Sequence, residues 1–208
     1  VAGVAPAEYK QHGAFAEFLS VPQRILHRLP DDLPFHHAAM VEPVSIALHA
    51  VSLVTLPANS VAVVVGTGMI GLLVVQALRH VGAKHIVAID REPTRLALAR
   101  ELGATLALRS DQSDLPAELA KLKPHGADVV FEVAGIQPTV QPALQLVRRG
   151  GDVVLVGNLA PSIAGFPLQS VVTREVKLHG SCGSAGGRAP AVSRFHSCCP
   201  PGPMLTVS

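Results

Sequence analysis

The 208-residue chain has no tryptophan, one tyrosine and six phenylalanines, so its interior must be packed largely from Val, Leu and Ala. It lacks an excess of charge of either sign. Seventeen Lys and Arg against fifteen Asp and Glu leave a formal +2, and the basic residues gather along no face or tail. That argues against a polyanion footprint and hence against a nucleic-acid partner. Cysteine is scarce. Cys182, Cys198 and Cys199 form no CxxC pair, which excludes a disulfide framework and fits a reducing, cytoplasmic setting. The N-terminal VAGVAPAEYKQHG has neither a basic-then-apolar signal pattern nor an initiator Met, so the chain reads as a fragment or a processed form. What the chain does have is apolar content: 49% hydrophobic residues against 15% charged, enough to bury a core and to exclude disorder.

The most apolar stretch runs from Val61 to Leu78, interrupted in polarity only by Thr67 and Gln76. A membrane span needs about 20 such residues, so its length is borderline. Its chemistry, however, changes at the glycines. VAVVV before them is a β-branched run suited to a buried parallel strand. MIGLLVVQALRHVG after them has helical composition and closes on Gly82. The reading is therefore strand, turn and helix, with no membrane partner. Gly66, Gly68 and Gly71 make the spacing GxGxxG. In a dinucleotide fold Gly66 permits the tight turn, Gly68 lets a pyrophosphate approach the backbone, and Gly71 lets the helix pack closely on the strand. The helix start at Met69 and Ile70 offers N–H groups and a partial positive charge to phosphates.

HIVAID reads as a second buried strand ending in Asp90, 19 residues after Gly71. A carboxylate there accepts hydrogen bonds from the adenosine ribose hydroxyls and repels a 2′-phosphate, which selects NAD over NADP. The alternative is a solvated strand-end charge. The adjacent guanidinium of Arg91 leaves room for NADP.

Helix and strand patterns then alternate. EPTRLALARELGA is a helix with Pro93 in its first turn and Gly103 after its last. TLALRS is a short strand. DQSDLPAELAKLK is a helix with Asp114 as N-cap and Pro116 in its first turn. ADVVFEVAG is a buried strand. QPTVQPALQLVRRGG is a helix stopped by Gly150–Gly151. DVVLVGN and EVKLHGSCG are strands. Six strands joined by five connections, four of them helical, predict an α/β fold: a Rossmann-type doubly wound parallel sheet in the order 3-2-1-4-5-6. Ligands of such sheets bind at the carboxyl ends of the strands, which places Gly66, Asp90, Val133 and Ala134 through Gly135, and Val156, Gly157 and Asn158 on one edge. This much specifies a cofactor fold and not a reaction.

The segments GAFAEF, LPDDL, AAMVEPVSIALHAV, VVVGTGMIGLL, AIDREPTRLALARELGA and REVKLHGSCGSAG occur in order across residues 13–186. Together they closely resemble the zinc-containing medium-chain dehydrogenase/reductase family, in its sorbitol (polyol) dehydrogenase-like branch. The resemblance implies hydride transfer from a secondary alcohol of a small polyol or alcohol to NAD, with a zinc ion polarising the substrate oxygen. It implies that Glu42 faces the catalytic zinc, as ligand or through water, and that Arg95 lies near the adenosine ribose. It also implies that Val156 and Gly157 hold the carboxamide and that GSCG passes near the nicotinamide. Read without the resemblance, Glu42 is an acid at a helix start, Arg95 a solvated helix arginine and Cys182 a small buried residue.

The chain also departs from that pattern. Only twelve residues precede GAFAEF and none is Cys. The four-cysteine structural zinc lobe is missing, and Glu42 has no credible partners for a three-ligand zinc site. His36 and His37 fall in a loop pattern and His49 in a helix pattern. After GSCGSAG the sequence GRAPAVSRFHSCCPPGPMLTVS has no apolar period. The expected organisation is a remnant of a GroES-like β catalytic domain with its linker at 1–45, the dinucleotide-binding domain at 46–187 and an irregular tail at 188–208. The expected molecule binds NAD(H), lacks the catalytic zinc of full-length relatives and is catalytically inactive. It acts either as a truncated isoform that binds NAD or as a partner for family subunits, forming a homo-oligomer through a sheet edge. A zinc-free quinone reductase relative is disfavoured by VEPVS and GSCGSAG.

Overall fold

A computed structural model describes residues 15–23 and 26–183. The expected tail at 188–208, with Cys198 and Cys199, and the first fourteen residues lie outside the described residues. The chain divides into two units, residues 1–35 and 36–208. In the first, the Leu33 N–H donates to the Pro30 carbonyl at 3.1 Å in a turn, and exposed Arg28 pairs with Asp31 at 3.3 Å.

The second unit contains α2 (Val41–Ser52), β1 (Val61–Val65), α3 (Met69–His80), β2 (His85–Asp90), α4 (Pro93–Leu102), β3 (Leu106–Arg109), α5 (Leu115–Leu122), β4 (Ala127–Glu132), α6 (Gln137–Leu146), β5 (Val147–Leu155), α7 (Leu168–Thr173) and β6 (Lys177–Gly180). A short α1 (Phe35–Ala38) precedes them. It corrects the reading of His36 and His37 as loop residues: they occupy this single turn, with their rings 4.3 Å apart.

The strands form one parallel sheet in the order β3-β2-β1-β4-β5-β6, as the alternation predicts. All five residues of β1 and all six of β4 are buried. Helices on both faces demand that, and it explains why these strands read as continuous apolar runs rather than alternating ones. Val61, Val63, Val65, Val87 and Val153 pack with Leu119, Val140 and Leu144 of α5 and α6. On the other face α3 packs on β1 and β2, α4 on β2 and β3, and α2 on α3. Among the described residues no helix is long and apolar enough to cross a membrane. The run at 61–78 is divided between β1 and α3.

The helix ends follow from local sequence. The Ala83 N–H donates to the Leu78 carbonyl and the Gly82 N–H to that of Arg79, each at 3.0 Å, a glycine-closed Schellman end. Pro93 opens α4, where a missing N–H costs nothing. The Asp114 carboxylate accepts from the Ala117 N–H at 3.2 Å, capping α5 as expected.

The helix expected from near Pro138 to a stop at Gly150–Gly151 is too long. It stops at Leu146, and Val147–Gly151 opens β5. Val147 is fully buried in register with Ala127. The next pairing is Val129 with Asp152, so four residues bulge outward opposite Asp128. Arg148 turns back to donate to Asp128 at 2.8 Å, and the Gly150 N–H donates to the Arg174 carbonyl at 2.9 Å. These tertiary bonds override a helix-compatible sequence. The fifth connection, assigned no helix from sequence, contains the six-residue α7.

Candidate functional site

The carboxyl ends of β1, β2, β4 and β5 bring the predicted edge residues together. Gly66 leaves β1 with φ +94°, a region that penalises a β-carbon, and its N–H donates to the Ile89 carbonyl at 2.8 Å. Gly68 precedes α3 in extended conformation with no side chain capping the helix. A β-carbon on Gly68 would meet nothing within 4 Å, whereas one on Gly71 would stand 1.9 Å from the Gly66 carbonyl oxygen. The three glycines therefore do different things: Gly66 bends the chain, Gly68 keeps a face open, and Gly71 seats α3 against the bend. The first in-helix bond at this end runs from the Leu72 N–H to the Gly68 carbonyl. The N–H groups of Met69, Ile70 and Gly71 thus have no partner within the helix. Met69 is exposed and Ile70 half-buried.

Asp90 stands at the tip of β2 and reaches across to this turn. Its Oδ2 accepts from the Thr67 N–H at 2.7 Å and the Thr67 hydroxyl at 2.9 Å. Its Oδ1 accepts from the N–H groups of Arg91 at 2.7 Å and Glu92 at 3.0 Å. Burial works to raise the Asp90 pKa. The bonds from Glu92, Thr67 and Arg91 outweigh it and hold the carboxyl below its ordinary value. The guanidinium groups of Arg91 and Arg95, in the α4 entry and first turn, are exposed and form no ion pair among the described residues. Beside them Arg109 donates to both oxygens of Asp111, at 3.0 and 2.6 Å. That bond raises the Arg109 pKa and lowers that of Asp111.

On the other side of β1, the Val133 N–H donates to the Val65 carbonyl at 2.9 Å. The N–H groups of Val156 and Gly157 both donate to the Glu132 carbonyl, at 2.8 and 3.1 Å. Val133, Ala134, Val156 and Gly157 are half-buried and Asn158 is exposed. The Ser181 hydroxyl, just beyond β6, is buried with no hydrogen-bond partner among the described residues.

Two residues at this edge escaped the sequence reading. Thr67, fully buried, ties the glycine turn to Asp90. Glu132, also fully buried, bonds the amides of Ala134 and Gly135. Each is a lone polar residue in an apolar run, which is the signal that was available.

These features fit a dinucleotide: an open glycine face, unpaired helix N–H groups and an ionised acid at the next strand tip. Zinc is a different matter. Glu42 is exposed in the first turn of α2, and among the described residues no three His, Cys, Asp or Glu side chains converge as a metal site. The described residues do not fit a zinc centre.

The sheet order and the turn at its switch point define a Rossmann-type α/β fold. Residues 70–197 match the zinc-binding dehydrogenase family, and the chain belongs to it. It is 41% identical to (R,R)-butanediol dehydrogenase of Bacillus subtilis over 69% of this chain and 42% of that one. It is 34% identical to sorbitol dehydrogenase of the same organism over 81% of this chain and 48% of that one. It therefore spans about half the length of the curated relatives it matches. A Sinorhizobium meliloti structure with NADP bound superposes with TM-score 0.81 at 32% identity, covering 90% of this chain and 56% of that one. A short chain alcohol dehydrogenase from Escherichia coli CFT073 complexed with NADH gives TM-score 0.80 at 25% identity, covering 89% and 55%.

Proposed function

We propose that this chain is the cofactor-binding half of an alcohol or polyol dehydrogenase and that it binds NAD(H) in preference to NADP(H). The observation that carries the reading is the joined turn: Gly68 open to solvent, α3 uncapped behind it, and Asp90 bonded to Thr67 beside it. In this reading the amides of Met69 and Ile70 receive the pyrophosphate. Asp90 receives the adenosine ribose, and its charge disfavours a 2′-phosphate. A carboxylate offers about four lone-pair sites, and four donors of the chain already point at Asp90. A ribose hydroxyl therefore shares or replaces one of them. Arg91 and Arg95 flank the same position. The backbone at Val133, Ala134, Val156, Gly157 and Asn158 lines the nicotinamide half, and bound NAD supplies a hydride acceptor there. A small secondary alcohol or polyol as substrate is supported by the relatives' names. Free Cys182 fits a cytoplasmic setting.

Fluorescence titration of the 208-residue chain tests the reading. NADH is expected to saturate below about 1 mM, the upper end of ordinary cofactor and substrate requirements, with NADPH binding more weakly. No binding at that concentration overturns the assignment, and tighter NADPH binding overturns the role of Asp90.

A further inference from the structure

The least expected group in the molecule is the side chain of Glu132. It is fully buried at the carboxyl end of β4, in the middle of the sheet, and no ion pair holds it among the described residues. Burying an acid is costly unless it is hydrogen-bonded. Its Oε1 accepts from the N–H groups of Ala134 at 3.0 Å and Gly135 at 2.8 Å, and its Oε2 accepts from Gly135 at 3.0 Å. The backbone carbonyl of the same residue accepts from Val156 and Gly157. One residue thus fastens the segment after β4 with its side chain and the segment after β5 with its backbone.

The two segments leave no slack. Gly135 has φ +68°, and a β-carbon on it would lie 2.3 Å from the Gly157 carbonyl carbon. One on Gly157 would lie 2.0 Å from the Gly135 nitrogen. The Ala160 N–H donates to the Gly135 carbonyl at 2.8 Å. Any shift of the Ala134–Gly135 amides must move the chain at 156–160 with them. In a sheet of this order the two halves of a dinucleotide lie on opposite sides of the β1/β4 switch point. Asp90 is on the β2 side, so the interlocked segments are on the nicotinamide side.

We propose that Glu132 is a positioning residue for the nicotinamide half of the cofactor. Its acceptor oxygens fix the amides of Ala134 and Gly135 and thereby the wall against which the nicotinamide packs, without touching the cofactor. The inference rests on the cofactor-binding reading above.

The test compares NADH with ADP-ribose, which lacks the nicotinamide ring, on the wild-type chain and on Glu132→Gln. Glutamine keeps the shape and one acceptor oxygen but turns an NH2 donor toward the Gly135 N–H. Loss of a buried hydrogen bond predicts NADH affinity about tenfold weaker, with ADP-ribose changed by less than about twofold. Equal loss for both ligands, or no loss for either, overturns the proposal. If Glu132→Gln does not give the wild-type circular dichroism spectrum, Glu132→Asp is read the same way. If neither variant folds, Glu132 is a folding residue only and the proposal fails. Failure of the cofactor reading itself is distinct: the wild-type chain would then bind neither ligand.

Discussion

Gly68 and Gly71 differ by three positions and by everything that surrounds them. A methyl group on Gly68 meets open space, while one on Gly71 runs into the Gly66 carbonyl. Gly68→Ala is therefore expected to cost about 1 kcal/mol of stability or less, since it alters only an N-cap, yet to weaken NADH binding at least about tenfold. Gly71→Ala is expected to lower stability itself, by about 1–3 kcal/mol, as overpacking does. Urea unfolding and NADH titration on the two variants separate these effects. Wild-type NADH affinity in Gly68→Ala would mean that the open face of the turn is not the phosphate site. The turn at Gly66 and the close packing at Gly71 were legible in the sequence because each depends on a missing atom. The link from Thr67 to Asp90 was not, because it depends on which strand tips become neighbours in space.

Elements were legible where their ends carry chemistry. Asp114 and Pro93 open helices, and Gly82 and Gly103 close them, as read. Misreading came where local chemistry was neutral and tertiary bonds decided. Arg148 and Arg149 suit a helix terminus, yet Asp128 draws Arg148 into the bulged start of β5. The sextet LQSVVT has no capping side chain to announce α7. Asp128 itself ties three elements. It accepts from the Val61 N–H at 2.8 Å, from Arg148, and from the Lys123 ammonium. Burial works to raise its pKa, but Lys123, Arg148 and Val61 outweigh it and hold the carboxyl below the ordinary value. A carboxyl with a lower pKa folded than unfolded stabilises the fold above its unfolded pKa of about 3.9. That contribution disappears as pH falls through the folded value. Asp128→Asn should therefore cost about 1–3 kcal/mol at pH 7. The gap from wild type should close as acid protonates the wild-type carboxyl. Urea unfolding at pH 7 and at successively lower pH measures it; a gap independent of pH would show that the carboxylate charge is not what Asp128 contributes.

At the scale of the whole molecule, ligand linkage separates the two groups that the zinc-binding dehydrogenase family brings to mind. A ligand that binds only the folded state stabilises it by about 2.7 kcal/mol at a hundredfold excess over its dissociation constant. The edge proposed to bind the nucleotide is assembled from β1, β2, β4 and β5 within one unit, so NADH should raise the unfolding temperature by an amount that grows with its concentration. A catalytic zinc needs about three protein ligands. Among the described residues none gather, and Glu42 stands exposed at its helix start. The purified 208-residue chain should accordingly carry well under one zinc per molecule, show no loss of thermal stability in chelator, and turn over sorbitol or butanediol only at background. Elemental analysis, thermal unfolding with and without chelator, and a coupled NADH assay read the three quantities on one preparation. About one zinc per chain, together with chelator-sensitive unfolding, would mean that residues beyond the described ones complete a metal site with Glu42. The chain would then be an enzyme in its own right and not a cofactor-binding half.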